Sequence, residues 1–358
     1  MTRAARAVID LAALRHNFQR ARVAAPKSRV LAVVKANAYG HGLITIAQAL
    51  DAADGFGVAC VNEAVRLREA GIKQTIVCLQ GFKDSHELDE ACTRRIDVAV
   101  HTPYQLDMLA RARLERPARV WLKLDTGMGR LGFAPQQAGA VYLRLREMRQ
   151  VATTITLMTH LAGADDRDSD GTPQQLTAFE RAVEALSGAR SVANSAGILA
   201  WPNSHRDWVR PGIMLYGGTP FEDDEAAQHG LRPVMTLTAP LLAVKSLAAG
   251  DAVGYAGTWV CPEAMPVGVV ASGYADGYPR HAQVGTPILI NGRLTQLIGR
   301  VGMDMITIDL RGCEAQAGDR VTLWGRGLAV DTIARCAGTV SYELMCAVGG
   351  RVHTEFVQ

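Results

Sequence analysis

The chain places a lysine where parallel α/β folds carry out their chemistry. In Val33-Val34-Lys35-Ala36-Asn37-Ala38-Tyr39-Gly40-His41-Gly42 an apolar, β-branched run from Val30 ends in Lys35. A polar, glycine-punctuated turn follows, and an apolar helical pattern starts at Leu43. Strand, loop and helix put the lysine at the C-terminal end of the strand, where such folds bind ligands. In a partly apolar setting it can lose its proton and attack a carbonyl to form a Schiff base. A solvated lysine capping a strand is the plain structural reading. Later strand ends carry polar groups too. Lys123-Leu124-Asp125-Thr126-Gly127-Met128-Gly129-Arg130-Leu131-Gly132 offers Arg130, which suits either a two-pronged grip on a carboxylate or an ordinary surface turn. Met158-Thr159-His160 ends the next strand with a histidine that is either a catalyst or a satisfied structural group. Asn194-Ser195-Ala196-Gly197 and Trp208-Val209-Arg210-Pro211-Gly212-Ile213 end two more. The Ser195 hydroxyl and the N–H groups around Gly212 and Ile213 suit a phosphate, which barrels often bind after their last two strands.

The elements that must position these groups alternate. A short strand at Ala7–Leu11 and a helix from about Leu11 to Ala25 lead in. Strand candidates are Val30–Val34, Phe56–Cys60, Thr75–Leu79, Asp97–Val100, Arg119–Leu124, Thr153–Thr159, Ser191–Asn194 and Trp208–Arg210. Helical patterns at Leu43–Ala53, Asn62–Ala70, Ser85–Thr93, Pro103–Arg113, Pro135–Arg149 and Gln174–Ser187 lie between most of them. Eight strand slots predict a (β/α)8 barrel of the TIM type over residues 11–230. No G-x-G-x-x-G follows the first strand to favour an open doubly wound sheet. Beyond Pro220 the pattern changes to short alternating strands with turn signals such as Asn291-Gly292, broken by one helix at Val330–Ala337. This predicts a separate, mainly β domain over 231–358, with the N-terminal strand, 1–10, packed on it.

Composition narrows the function. The 358 residues are 48% hydrophobic and 20% charged, as in a globular protein with a large core. Lys and Arg number 38 against 35 acidic residues without long runs of either sign, so nothing recommends nucleic acid or a membrane surface as partner. The seven scattered cysteines contain no C-x-x-C and point to buried thiols, with neither a metal nor a disulfide framework expected. Without a signal-peptide core after Met1 or a bilayer-long apolar run, the expected location is cytoplasmic.

The lysine string closely resembles the pyridoxal-phosphate lysine motif of alanine racemases. The resemblance continues in order through the Arg130 loop, Thr159-His160, Asn194-Ser195 and Arg210-Pro211-Gly212-Ile213. The β half extends it through Val253-Gly254-Tyr255-Ala256-Gly257-Thr258-Trp259, Gly273-Tyr274-Ala275-Asp276-Gly277-Tyr278-Pro279-Arg280, Gly299-Arg300-Val301-Gly302-Met303-Asp304-Met305 and Ser341-Tyr342-Glu343. It spans essentially the whole chain, with Ala256 standing where glycine is usual. The resemblance implies an isomerase that interconverts L- and D-alanine on pyridoxal 5'-phosphate. Lys35 would hold the cofactor and act as one base, and Tyr255 from the other subunit of a homodimer would be the second. Tyr39, Ser195, Gly212, Ile213 and Tyr342 would hold the phosphate, and Arg210 would face the pyridine nitrogen. His160 would link Tyr255 to Arg210. Arg130 and the backbone at Met303 would take the substrate carboxylate. Lys123 matches a carbamylated lysine that orients the arginine. Asp165, Tyr274, Arg280, Arg300 and Asp304 would sit behind the site or line its entrance.

Elementary chemistry agrees with those roles. Inverting a carbon requires proton removal on one face and delivery on the other, so two groups suit it better than one. A tyrosine, with an ordinary pKa of about 10, serves as a base near neutrality only where donors or positive charge stabilise the phenolate. An arginine at the ring nitrogen keeps its proton, which weakens the cofactor as an electron sink and disfavours side reactions. Two alternatives share the lysine. A decarboxylase of the same layout needs a catalytic cysteine loop where this chain has Tyr255, and a non-catalytic pyridoxal-phosphate carrier needs no second base at all. Supply and breakdown of D-alanine are equally compatible with the sequence.

Overall fold

The computed structural model describes residues 5–358; residues 1–4, the start of the N-terminal stretch, lie outside the described residues. A first strand, β1 (Arg6–Asp10), runs into a helix at Leu11–Ala24, which the Asp10 carboxylate caps by accepting from Ala13 N–H. Eight parallel strands then close into a barrel: β2 (Arg29–Val33), β3 (Gly55–Val58), β4 (Thr75–Cys78), β5 (Asp97–Val100), β6 (Val120–Lys123), β7 (Thr156–Met158), β8 (Arg190–Ser191) and β9 (Trp208–Val209). All eight sequence slots are occupied, most with shorter strands than their apolar runs.

Side chains fill the barrel. Leu31, Val77, Ala99, Trp121, Met158 and Trp208 form an interior cluster of their own, with the two indoles 5.6 Å apart. Room for Leu31 comes from Gly55, where a Cβ would lie 2.9 Å from its Cδ1. The Arg29 guanidinium lies 4.1 Å from the Trp208 ring and covers the plug from the N-terminal side. With the lower barrel packed, polar chemistry is confined to the C-terminal face. The other faces of the strands join the surrounding helices in one continuous core.

The remaining strands are β10 (Met235–Leu247), β11 (Ala252–Val253), β12 (Trp259–Val260), β13 (Met265–Val270), β14 (Pro287–Ile290), β15 (Arg293–Ile298), β16 (Ile306–Asp309), β17 (Arg320–Trp324) and β18 (His353–Val357). The long β10 bonds β1, β17 and β13 along successive segments, so β13, β16, β15, β14, β17 and β10 form a closed ring. β1 continues that sheet from β10 and pairs in parallel with the edge strand β18. The expected strand Asp251–Gly257 breaks after Val253, because Gly254 turns to φ 75° and Tyr255–Gly257 forms a single helical turn. A helix at Ser341–Ala347, absent from the sequence reading, packs against the turn after β2. No helix among the described residues is long and apolar enough to cross a membrane.

Candidate active site

The turn after Lys35 is left-handed. Ala36, Asn37, Ala38 and Tyr39 all have φ of 53–54°, in place of the simple loop read from the sequence. Four L-residues in this region cost about 4–8 kcal/mol, at roughly 1–2 kcal/mol each. Bonds from outside and within hold it. The Glu63 carboxylate accepts from Ala36 N–H at 2.7 Å and from Ala59 N–H at 2.8 Å. Asn37 Oδ1 accepts from Leu43 N–H at 3.0 Å, and Ala38 N–H donates to Val34 O at 2.8 Å. Gly40 ends the turn at φ 82°, where a Cβ would meet Met345 O at 2.1 Å, so the helix at Ser341–Ala347 seats directly on it.

This turn carries Tyr39 to the loop after β9. Val33 N–H bonds Pro211 O at 2.9 Å, and Tyr216 Oη donates to Val33 O at 2.9 Å, tying β2 to that loop. A Cβ on Gly212 would stand 2.6 Å from Tyr39 Oη, and Gly212 N–H donates to Ser195 Oγ at 2.9 Å. The Tyr39 ring stacks on Tyr216 with centroids 4.7 Å apart and lies 6.0 Å from that of Tyr342. Burial pushes the phenols of Tyr39 and Tyr342 well above their ordinary values, so both remain neutral donors. Tyr39, Ser195, Gly212 and Tyr342 therefore converge, with Ile213 buried beside Gly212.

A cationic group lies alongside. Arg210, 3% exposed, donates to Ser191 Oγ at 2.6 Å, to Thr159 O at 2.7 Å, to Val192 O at 3.0 Å and to His160 Nδ1 at 3.2 Å. Because the guanidinium can only donate, His160 Nδ1 accepts and Nε2 carries the ring hydrogen. Burial, then Arg210, Lys123, Arg130 and Lys35, hold His160 well below its ordinary pKa, so the ring is neutral. Lys35 is lowered by burial first and by Arg130 next, against opposing pulls from Glu63 and Cys346. Lys123, 7% exposed, is lowered to about 8 by burial and then by Arg210 and Arg130. The Arg130 loop is organised by Asp125, whose carboxylate accepts from the N–H groups of Gly127, Met128, Gly129 and Arg130 at 2.9–3.1 Å. Gln175 braces the His160 segment by donating to His160 O at 3.2 Å and accepting from Ala162 N–H at 2.8 Å.

Tyr255 lies apart from this group. It is 67% exposed and its hydroxyl makes no hydrogen bond among the described residues. Its neighbours are turns of the β half. A Cβ on Gly302 would be 3.7 Å from its ring, and one on Gly254 would be 3.4 Å from Arg300 N. Tyr274 N–H donates to Gly302 O and Ala275 N–H to Met303 O, both at 3.1 Å, while Arg351 bonds Asp304 at 2.7 Å. Met303 is 51% exposed, and Tyr274, Arg280 and Arg300 are also exposed. The residues expected at the site therefore fall into two groups. Lys35, Tyr39, Lys123, Arg130, His160, Ser195, Arg210, Gly212, Ile213 and Tyr342 form one, with exposed Asp165 near Tyr342. Tyr255, Tyr274, Arg300, Met303 and Asp304 form the other.

The supporting contacts of Asp125, Gln175 and Glu63 carry no motif in the sequence analysis. Asp followed by a glycine-rich loop is a local turn signal that marks Asp125. Gln175, fixed by contacts thirteen to forty-nine residues away, carries no local signal.

Profiles described as "Alanine racemase, N-terminal domain" and "Alanine racemase, C-terminal domain" match residues 9–220 and 234–356. The chain is 54% identical over its full length to the whole alanine racemase of Thioalkalivibrio sulfidiphilus. It is 52% identical to that of Nitrosococcus oceani over 97% of each chain. Among solved structures, the biosynthetic alanine racemase of Pseudomonas aeruginosa superposes with a TM-score of 0.97 at 45% identity over 100% of both chains. The alanine racemase of Acinetobacter baumannii gives 0.95 at 37% identity over 99% of this chain and 100% of that one.

Proposed function

The chain belongs to the alanine racemase family and, as an amino-acid racemase, interconverts L- and D-alanine; from that premise we propose that two bases from two subunits share the proton transfer. Lys35 is one base and Tyr255 of the partner subunit is the other. The observation that carries this is the split site: a lysine with lowered proton affinity lies beside cations in the barrel, while the second base stands exposed, with no hydrogen-bond partner among the described residues of its own chain. A homodimer pairing each barrel with the other chain's β domain completes two sites at once.

Pyridoxal 5'-phosphate is the cofactor in this reading, and the residues present fit it. Its dianionic phosphate suits the neutral hydroxyls of Tyr39, Ser195 and Tyr342 and the tight approach at Gly212 and Ile213, and its aldehyde suits Lys35. When bound, it supplies a carbonyl for amine condensation and a ring that acidifies the alanine Cα–H. Arg210 would face the ring nitrogen and, with its N–H groups donating to four acceptors, would keep its proton there. Arg130 and the Met303 backbone hold the substrate carboxylate, so Cα lies between the two bases. Lys35 Nζ takes or returns the proton on one face, and Tyr255 Oη does so on the other. His160, neutral and with Nδ1 occupied by Arg210, has its Nε2–H free to donate to Tyr255 Oη and support the phenolate when it forms.

Lys123 has a supporting role. With its pKa near 8, about a tenth of the amine is neutral at pH 7, and only that form adds carbon dioxide. Carbamylation replaces a buried cation between Arg130 and Arg210 with an anion and releases two protons, one from the ammonium and one from the new carbamic acid. Asp165, Tyr274, Arg280, Arg300 and Asp304 frame the entrance. The chain divides near residue 230 into barrel and β domains and acts in the cytoplasm. Pure L-alanine and pure D-alanine, each incubated with cofactor-loaded protein in D2O, test the reading by chiral analysis. Both should approach an equal mixture with deuterium at Cα; retention of either starting enantiomer by cofactor-loaded protein refutes it.

A further inference from the structure

We propose that His41 is a positioning residue for the cofactor phosphate: its Nδ1–H holds the Ala38 and Tyr39 carbonyls and so fixes the left-handed turn that presents the Tyr39 hydroxyl at Gly212. This rests on the reading of Tyr39 as a phosphate donor. The His41 ring is wholly buried, with Nδ1 3.1 Å from Ala38 O and 2.9 Å from Tyr39 O. Two carbonyls can only accept, so Nδ1 bears the hydrogen and Nε2 is the lone-pair nitrogen. Nε2 is buried without a hydrogen-bond partner among the described residues. An unpaired polar atom in a closed interior is unfavourable, and an apolar ring would avoid it. The imidazole earns its place through Nδ1–H.

Its two acceptors belong to consecutive residues of a turn whose backbone L-residues disfavour. A second route leads to the same tyrosine. The His41 ring packs on Tyr216 at 4.7 Å, and Tyr216 stacks on Tyr39 at 4.7 Å. His41 thus restrains both the backbone and the ring of Tyr39 without reaching the ligand cradle itself. Burial pushes its pKa down to about 4, so the neutral tautomer described here persists through the physiological range.

The test compares the affinity of cofactor-stripped full-length protein for pyridoxal phosphate and for pyridoxal, which lacks the phosphate, by absorbance titration. His41→Phe keeps a ring against Tyr216 and removes the donor. His41→Asn removes the ring but keeps an N–H on the atom bonded to Cγ, where Nδ1 sits. The phenylalanine variant should bind pyridoxal phosphate about tenfold more weakly, the worth of one hydrogen bond, with pyridoxal changed by less than roughly twofold. The asparagine variant should recover most of the loss. On a Tyr39→Phe background, His41→Phe should add less than roughly twofold, as coupled residues do. Equal weakening for both ligands, no weakening, or full additivity with Tyr39→Phe would overturn the proposal. A wild-type protein with no preference for pyridoxal phosphate over pyridoxal would instead refute the phosphate cradle on which it rests. Should His41→Phe not fold, His41→Gln, whose N–H lies one carbon farther out, takes its place in the same comparison.

Discussion

Gly212→Ala probes the phosphate cradle with one added carbon. The new Cβ would lie 2.6 Å from Tyr39 Oη and 3.4 Å from its Cζ. Ordinary contact begins near 3.4 Å, so the hydroxyl must retreat by about 0.8 Å. Tyr39 has little room to do so, being 7% exposed and stacked on Tyr216. A shift of that size spoils the distance and angle of a phosphate contact. Losing a hydrogen bond to a charged group costs about 1.5–3 kcal/mol, or roughly ten- to a hundredfold in affinity. The assay is titration of the stripped protein with pyridoxal phosphate, alongside a thermal melt to establish folding. The dissociation constant should rise by that factor, while the KM for alanine at saturating cofactor stays near wild type. Unchanged cofactor affinity in a folded variant would refute the placement of the Tyr39 hydroxyl in the cradle.

Two further outcomes follow from local structure. His41 has a folded-state pKa of about 4 against an ordinary 6.5, so between those values only the unfolded chain takes up the proton. Its contribution to stability is therefore complete above pH 6.5 and is lost as pH falls towards 4, a span of ~3 kcal/mol. Urea unfolding between pH 7 and pH 4.5 should show a shallower decline for His41→Asn, and parallel declines would contradict the assigned burial. Ala256 sits at φ 61° in the turn beside Tyr255, a conformation that glycine adopts without penalty. Ala256→Gly should stabilise the protein by about 0.5–1 kcal/mol after the entropic cost of glycine is deducted, and a lowered melting temperature would count against strain there.

The sequence marked the strand-end residues well because their signal is local. Lys35, Arg130, His160, Ser195 and Arg210 each end or follow an apolar run, and the structure gathers them on the C-terminal face of the barrel. Boundaries were harder to read. Ser191–Asn194 looks like one strand, but Asn194 accepts from Gly197 N–H and caps the next helix. The left-handed turn was hidden because only Asn37, of its four residues, favours that conformation; packing from Glu63, His41 and Met345 imposes it. β18 was invisible because His353–Val357 is exposed along its length and lacks an apolar face. It pairs in parallel with β1 at the edge of the sheet. The separation of Tyr255 from Lys35 depends on chain topology, which no motif spacing encodes.

The shared site is tested most directly by mixing two inactive proteins. Lys35→Ala and Tyr255→Phe are each purified, combined in equal amounts under conditions that exchange subunits, and assayed for racemisation. If Tyr255 acts across the dimer, each hybrid holds one intact site. Random exchange then makes half the dimers hybrids, and activity should recover to about a quarter of wild type. If both bases act within one chain, no intact site can form. A mixture as inactive as its components, with hybrids demonstrated by mass, would contradict the account.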